Sequence, residues 1–451
     1  MKLKSLTYTI FLLSLLNVNA HAADLLSVYK DASTGSPQLS TYLNTALATS
    51  EGLTENIGTL LPQVTATANI SANNFNGYGT NTNYTNANYG VSITQQVFNY
   101  SDFANVATAK FQKNSAMATY KSQQQQFILS VAEAYFNVLT AQYNLGLANA
   151  QYDFLKKTLD QTQAKFATGI GTYTDVAQAR ANANTAYATM IENQNNLAIA
   201  NENLRTFTGK EETNLAGITN DGSFPIIAPE PANLNYWVTL AEAQNPLLLA
   251  QVQTENAALA TVHANVGNQL PNVFIQANYE KNYYNNGAPT VITQGYNPYE
   301  QESIELGVSW TIFAGGELMS RTLQAADQYV SQENTSTNLY RQTDNQTTQD
   351  YLSVLASIAQ IKAYQQSQVS ALASLQEFDA KYKVGTATIV DVLNATQTLY
   401  QARFNLAQAM NEYIDNFLSL KADVGTLSEQ DLANINQYLK ITPTIPEKTT
   451  S

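Results

Sequence analysis

The chain has 451 residues, with 22 basic against 35 acidic side chains for a formal net charge of −13. That balance disfavours nucleic acid as a partner, and the absence of cysteine excludes disulfides, thiolate metal sites, a cysteine nucleophile and a lipid anchor on an N-terminal cysteine. Only 13% of residues are charged, against roughly 25% in ordinary domains; Asn, Gln, Ser and Thr supply the polarity, which suits either the neutral wall of a water-filled passage or a Gln-rich soluble helical protein.

Lys2 and Lys4, an apolar stretch from Leu6 to Leu16, and Ala20-His21-Ala22 read as a secretory signal. Residues 1–22 are therefore expected to be removed, taking the charge to −15. The apolar stretch is too short for a helical span of roughly 20 residues, and no later stretch supplies one. After cleavage His263 is the remaining histidine; without ligand or general-base partners at useful spacing, it reads as a helix-surface side chain. No G-x-G-x-x-G, phosphate loop or G-x-S-x-G is present, so neither catalysis, a cofactor nor a metal is expected. The N-x-[ST] triplets are expected by chance in so Asn- and Thr-rich a chain.

All eleven prolines lie outside two long runs, between Gln63 and Phe224 and between Tyr299 and Thr442, so helices there can be long. In chain order, a helix is expected over about Asp24 to Asn56. Val64, Ala66, Ala68, Ile70 and Ala72 then alternate with polar residues, which is the period of a strand. "NNFNGYGTNTNYTNAN" reads as an exposed turn. A helix is expected from about Ser101 to Ala167, followed by the turn in "ATGIGTYTDVAQA" and a returning helix, Thr172 to Thr208. Residues 218–231, with Pro225, Pro229 and Pro231, read as a linker. The second half begins with a helix over about Ala232 to Asn268. Ile304, Leu306, Val308, Trp310 and Ile312 alternate again, preceded by a turn in "KNYYNNGAPTVITQGYNPYE". A second rod, Gly316 to Lys383, ends at the turn in "KVGTATIVDVLNA" and returns as Thr388 to Val424, and "PTIPEKTTS" reads as a loose tail. Sixty-seven helical residues make a rod of about 100 Å.

The two halves are copies. Gly385, Asp391, Gly425 and Tyr351 each follow Gly169, Asp175, Gly209 and Tyr135 by 216 residues, and "LPNVFIQAN" follows "LPQVTATAN" by 209. This is a tandem duplication, with domains expected at 1–22 (signal), 23–217 (first repeat), 218–231 (linker), 232–430 (second repeat) and 431–451 (C-terminal equatorial segment and tail). In the second returning helix Val392, Ala395, Leu399, Ala402, Leu406, Ala409, Tyr413 and Leu420 follow a 3-4 spacing broken at Asn416, the period of coiled-coil packing.

Strands of roughly ten residues flanked by Phe98, Tyr100, Tyr279, Tyr283 and Trp310 fit outer-membrane barrel strands, although a soluble half-buried sheet has the same alternation. Four per chain are too few to close a barrel, for which about eight are needed. An open edge in lipid leaves backbone groups unpaired, so a barrel would have to be shared between chains.

The signal, the duplicated strand pairs, the proline-free rods with Gly-Thr turns, "VAEAYFNVL", and above all "VGTATIVDVLNATQTLY" and "GTLSEQDL" resemble the TolC family of outer-membrane efflux channels over nearly the whole mature chain. The resemblance implies a membrane α+β fold: a homotrimer whose twelve strands form one barrel in outer-membrane lipid, continued by a coiled-coil α-helical barrel through the periplasm. A periplasmic adaptor and an inner-membrane transporter would open the far end of this passive conduit, which is no enzyme. Asp391 would ring the constriction there, with Asn394 where the family's pattern has a second Asp. Thr388 to Asp391 and Thr172 to Asp175 equally have the [ST]-x-x-[DE] form of a capping box, and both roles can coexist. Of the family's closing tethers, Tyr382, Asp175 and Thr174 are kept. The arginine position is Ala387, and the Gln and Glu positions are Thr158 and Asp379, with Lys381 or Lys383 as possible substitutes for the arginine. The tips with Gly169, Gly171, Thr172, Gly385, Thr386 and Thr388 would dock the adaptor. The rival class is a trimeric coiled-coil surface stalk or adhesin on a membrane anchor; a pore-forming toxin is more distant.

Overall fold

A computed structural model of the chain describes residues 23–77, 79–212, 214–218, 224–285, 288–293 and 298–440. The expected signal, linker residues 219–223 and the tail from 441 lie outside the described residues. The first half runs α1 (Leu25–Gly35), α2 (Pro37–Thr59), β1 (Gln63–Gly77), β2 (Thr80–Phe98), α3 (Tyr100–Ala167), α4 (Tyr173–Thr208) and β3 (Gly217–Ile218). The second repeats the order with α5 (Leu234–Gln244), α6 (Pro246–Gly267), β4 (Asn272–Tyr284), α7 (Thr290–Thr293), β5 (Tyr299–Ser309), α8 (Glu317–Lys383) and α9 (Ile389–Asp423), then α10 (Glu429–Asn436) and β6 (Leu439–Lys440).

Each repeat's leading helix, expected as one, is two. The breaks fall at Ser36-Pro37 and Asn245-Pro246, again 209 residues apart. Proline cannot continue a helix but suits its first position, and the residue before it caps the new helix: Asn245 Oδ1 accepts from the Leu247 and Leu248 amides at 2.8 and 3.1 Å. The C-terminal segment also differs in extent. α10 begins at Glu429, across the expected boundary at 431, because Ser428 and Asp431 form its capping box, and β6 pairs with β3 at the edge of the expected linker.

β1, β2, β4 and β5 form one antiparallel sheet in that order. The first hairpin is longer than expected: the stretch read as a loop is paired, from Asn73 opposite Tyr84 to Gly77 opposite Thr80. Asn and Thr carry no apolar alternation to announce a strand, but their side chains bond across it, as where Asn74 Nδ2 donates to Asn83 Oδ1 at 2.8 Å. Part of the second loop is likewise regular, β4 reaching Tyr284 and α7 lying between the strands.

α3 and α8, with 68 and 67 residues, are rods of about 100 Å at 1.5 Å per residue. α2, α3, α6 and α8 pack side by side in one row, and α4, α3, α9 and α8 in another. Along α9 Val392, Ala395, Leu399, Ala402, Ala409, Tyr413 and Leu420 are buried, as the 3-4 spacing requires. At its break, Asn416 Nδ2 donates to Ser357 Oγ of α8 at 2.9 Å.

The main core lies midway along the rods, where α1, α5, α10 and the β3–β6 pair surround Val131, Tyr135 and Val138 of α3, Val354 and Ile361 of α8, and Leu418 of α9. The Tyr135 hydroxyl donates to the Ala216 carbonyl at 2.6 Å. Beside this core Asp415 is pushed up to about 7, first by burial and then by Glu133 and Glu412; burial and its bond to Asp350 also raise Asp423. An acid with a raised folded pKa keeps a proton that the unfolded chain has lost. Its contribution is therefore full below the unfolded value of 3.8 and disappears as pH rises through about 7. The thermal midpoint is expected to fall between about pH 5 and about pH 8, and Asp415→Asn to flatten that slope; a slope unchanged in the variant would contradict it.

Candidate functional site

The two faces of the sheet differ in chemistry. Val64, Ala66, Ala68 and Ile70 of β1 lie opposite Ile93, Val91, Tyr89 and Ala87 of β2, and Ile275 and Ala277 of β4 lie opposite Leu306 and Ile304 of β5. Along these positions the face is apolar and open, Ile70 being 81% and Ile304 84% exposed; further along β4 and β5 the same face carries Glu302 opposite Tyr279 and the ion pair of Lys281 with Glu300 at 2.6 Å. The other face carries Thr65, Thr67, Asn69, Asn88, Ser92, Gln276, Asn278, Ser303 and Gln301, with Glu280 and Glu305 as carboxylates. Glu280 accepts from Asn88 and Asn282 at 2.7 and 3.0 Å. A sheet apolar on one side and amide- and hydroxyl-lined on the other is the wall of a water-filled barrel in lipid.

At the opposite end of the rods lie the two Gly-Thr turns, built alike. Gly169 and Gly385 both have φ of 80°, the left-handed conformation that ends a helix most cheaply with glycine. Ile170 and Thr386 amides close the turns on the carbonyls of Lys165 and Lys381 at 3.0 and 2.9 Å. Thr172 and Thr388 then cap α4 and α9. Asp391 Oδ2 accepts from the Thr388 amide at 2.8 Å and its hydroxyl at 2.6 Å; Asp175 Oδ2 accepts from Thr172 at 3.1 and 2.8 Å. Both acids thus serve as caps, each box contributing about 1 kcal/mol to its helix. The Thr388 hydroxyl, then its amide, hold the Asp391 carboxyl below the usual carboxylate value.

The structure brings the two tips together. Leu155, Ala183 and Ala186 of the first hairpin form a buried cluster with Ile389, Val392 and Leu393 of the second, and Tyr382 packs against it. Among the described residues Tyr382 makes no hydrogen bond to Asp175. Its ring instead lies under Lys165, with Nζ 3.9 Å from the centroid. Thr158 is buried, its hydroxyl donating to the Phe154 carbonyl at 2.9 Å. Asp379 pairs with Lys383 at 2.7 Å and Glu377 with Lys381 at 2.6 Å, so both lysines considered for the missing arginine are held along their own helix. Thr174 and Asn394 are exposed, and Ala387 is half-buried. Sequence reasoning passed over Lys165, because a single lysine three residues before a turn belongs to no motif. Ile170, Tyr173 and Val384 are 81%, 69% and 74% exposed, an apolar surface that the turn residues alone did not announce.

A barrel wall at one end, long coiled-coil rods and paired hairpin tips at the other define an outer-membrane channel protein that extends into the periplasm. The outer membrane efflux protein family matches residues 48–210 and 237–426, once in each repeat, and the chain belongs to that family. Outer membrane protein TolC of Vibrio cholerae is 31% identical over 420 residues, 93% of this chain and 94% of that one. Alkaline protease secretion protein AprF of Pseudomonas aeruginosa is 29% identical, covering 76% and 70%. Among solved structures the CmeC outer membrane channel of Campylobacter jejuni superposes with a TM-score of 0.77 at 15% identity, covering 92% and 90%. The protein is an outer-membrane channel of efflux or type I secretion and not an enzyme. Members of the family work with an adaptor and an inner-membrane pump. Membership sets aside the surface stalk.

Proposed function

We propose that three copies of this chain complete one twelve-stranded barrel and one helical tunnel, closed at the Gly-Thr tips and opened there by a periplasmic adaptor and an inner-membrane pump. The supporting observation is the sheet itself: it has four strands, β1 and β5 are its two edges, and its apolar face demands lipid. Edges in hydrocarbon need partners, and β5 of one copy can pair with β1 of the next. The exposed Ile170, Tyr173 and Val384 and the glycine turns offer the adaptor its docking surface.

In this assembly three Asp391 carboxylates face one another at the constriction. Capping lowers their proton affinity while mutual repulsion raises it and favours a bound cation. With Asn394 in place of a second acid, block by multivalent cations is weaker than a double ring would give. Planar-bilayer recording of the purified trimer tests this: Asp391→Ala is expected to remove cation block and raise resting conductance, whereas nanomolar block untouched by the substitution would refute the ring. Tyr382→Phe separates the tether: loss of a hydroxyl bond to the charged Asp175 in the closed trimer costs about 1.5–3 kcal/mol, so resting conductance is expected to rise. Conductance equal to the parent's would remove that tether from the gate.

A further inference from the structure

Lys165 stands apart from the other basic residues of the tips. Lys381 and Lys383 are paired with acids of their own helix, and the carboxylates of Asp175 and Asp391 are engaged by their capping threonines. Among the described residues Lys165 has no ion pair. Its carbonyl accepts the Ile170 and Gly171 amides at 3.0 and 3.2 Å, so the first Gly-Thr turn fixes its backbone. Its ammonium lies over Tyr382 at the end of α8, and that ring is backed by the cluster of Leu155, Ile389 and Val392.

We propose that Lys165 is a gating residue of this channel: its ammonium on the Tyr382 ring is a latch joining the first hairpin of each chain to the second. A cation over an aromatic face is attracted by the ring quadrupole, not by the hydroxyl. The contact crosses from α3 to α8, and moving the second hairpin away from the first breaks it. Each chain carries its own latch, so no neighbouring copy is needed to form it. The proposal rests on the channel reading, and it is distinct from the hydroxyl tether because the latch uses the ring of Tyr382 and the tether would use its hydroxyl.

Resting conductance of the purified channel in planar bilayers decides it. Lys165→Met, which keeps the side chain's length and removes its charge, is expected to raise the resting open probability at least about two- to five-fold, the factor corresponding to one exposed cation–π contact, because every assembled copy loses its own latch. Lys165→Arg is expected to stay at the parent level. Tyr382→Phe keeps the ring, so adding Lys165→Met to it should raise opening by the same factor again, whereas adding it to Tyr382→Leu should change nothing. A parent that conducts while Lys165→Met is as quiet, or quieter, overturns the latch and leaves the channel intact; so does an equal effect of Lys165→Met on the Phe and Leu backgrounds. A parent that passes no current under any treatment overturns the channel reading itself.

Discussion

Leu306→Arg is expected to keep the chain from assembling in the outer membrane, while Glu305→Gln one residue earlier leaves assembly unchanged. The two side chains leave β5 on opposite faces. Leu306 lies opposite Ile275 and is 69% exposed in the single chain, so in the barrel it meets hydrocarbon. An arginine on the lipid face costs about 2–4 kcal/mol at the bilayer midplane, and each assembled copy carries one. Folded stabilities are typically about 5–15 kcal/mol, so in the proposed three-copy barrel such charges consume much of what holds the assembly together. Glu305 faces water on the amide-lined side, opposite Gln276, where a neutral amide of the same shape loses no lipid contact. Recovery of each variant in outer-membrane fractions, together with its urea midpoint in vesicles, measures the difference. Equal recovery of both would refute the assignment of the apolar face to lipid and, with it, the shared barrel.

The second large effect concerns two glycines that the duplication makes equivalent. Gly209 ends α4 with φ of 69°, and Gly425 follows α9 with φ of 80°. For both, a side chain in the left-handed region costs roughly 1–2 kcal/mol. Their surroundings differ. A methyl group on Gly209 would meet nothing within 4 Å, whereas one on Gly425 would lie 2.3 Å from the Gln244 carbonyl oxygen and 2.9 Å from Pro246 Cδ. Gly425 is held there from two sides. Gln125 Nε2 donates to its carbonyl at 2.7 Å, and Asn245 Nδ2 donates to the carbonyl of Asp423 at 2.7 Å. The close neighbour is backbone at the α5–α6 break and has little room to yield. Gly425→Ala is therefore expected to cost about 3–5 kcal/mol, strain and overpacking together, against about 1–2 kcal/mol for Gly209→Ala. Denaturant midpoints of the two purified variants should separate clearly; matched midpoints would mean that the close approach at Gln244 does not constrain the fold.

Much of the architecture was open to sequence reasoning because it follows from local rules. The absence of proline from two long runs allowed rods that the structure confirms to within a residue or so at each end. The Thr-x-x-Asp spacing predicted two capping boxes, and both are present. The 3-4 spacing of α9 selected its buried row. A capping bond or a helical face involves residues only a few positions apart, so composition and spacing suffice to specify it. The helix breaks at Pro37 and Pro246 were within the same reach; a serine or asparagine cap followed by proline was the signal.

The sequence by itself determined the duplication, the length of the rods, the caps at their turns and the two-faced character of the strands. Only the tertiary structure decided how far the first hairpin extends, that Lys165 covers Tyr382 across 217 residues of chain, and that one of two equivalent glycines is crowded while the other is free. Each of these depends on which atoms from distant segments come within a few ångströms of one another. That proximity is set by how the rods pack together, and it leaves no periodic trace along the chain.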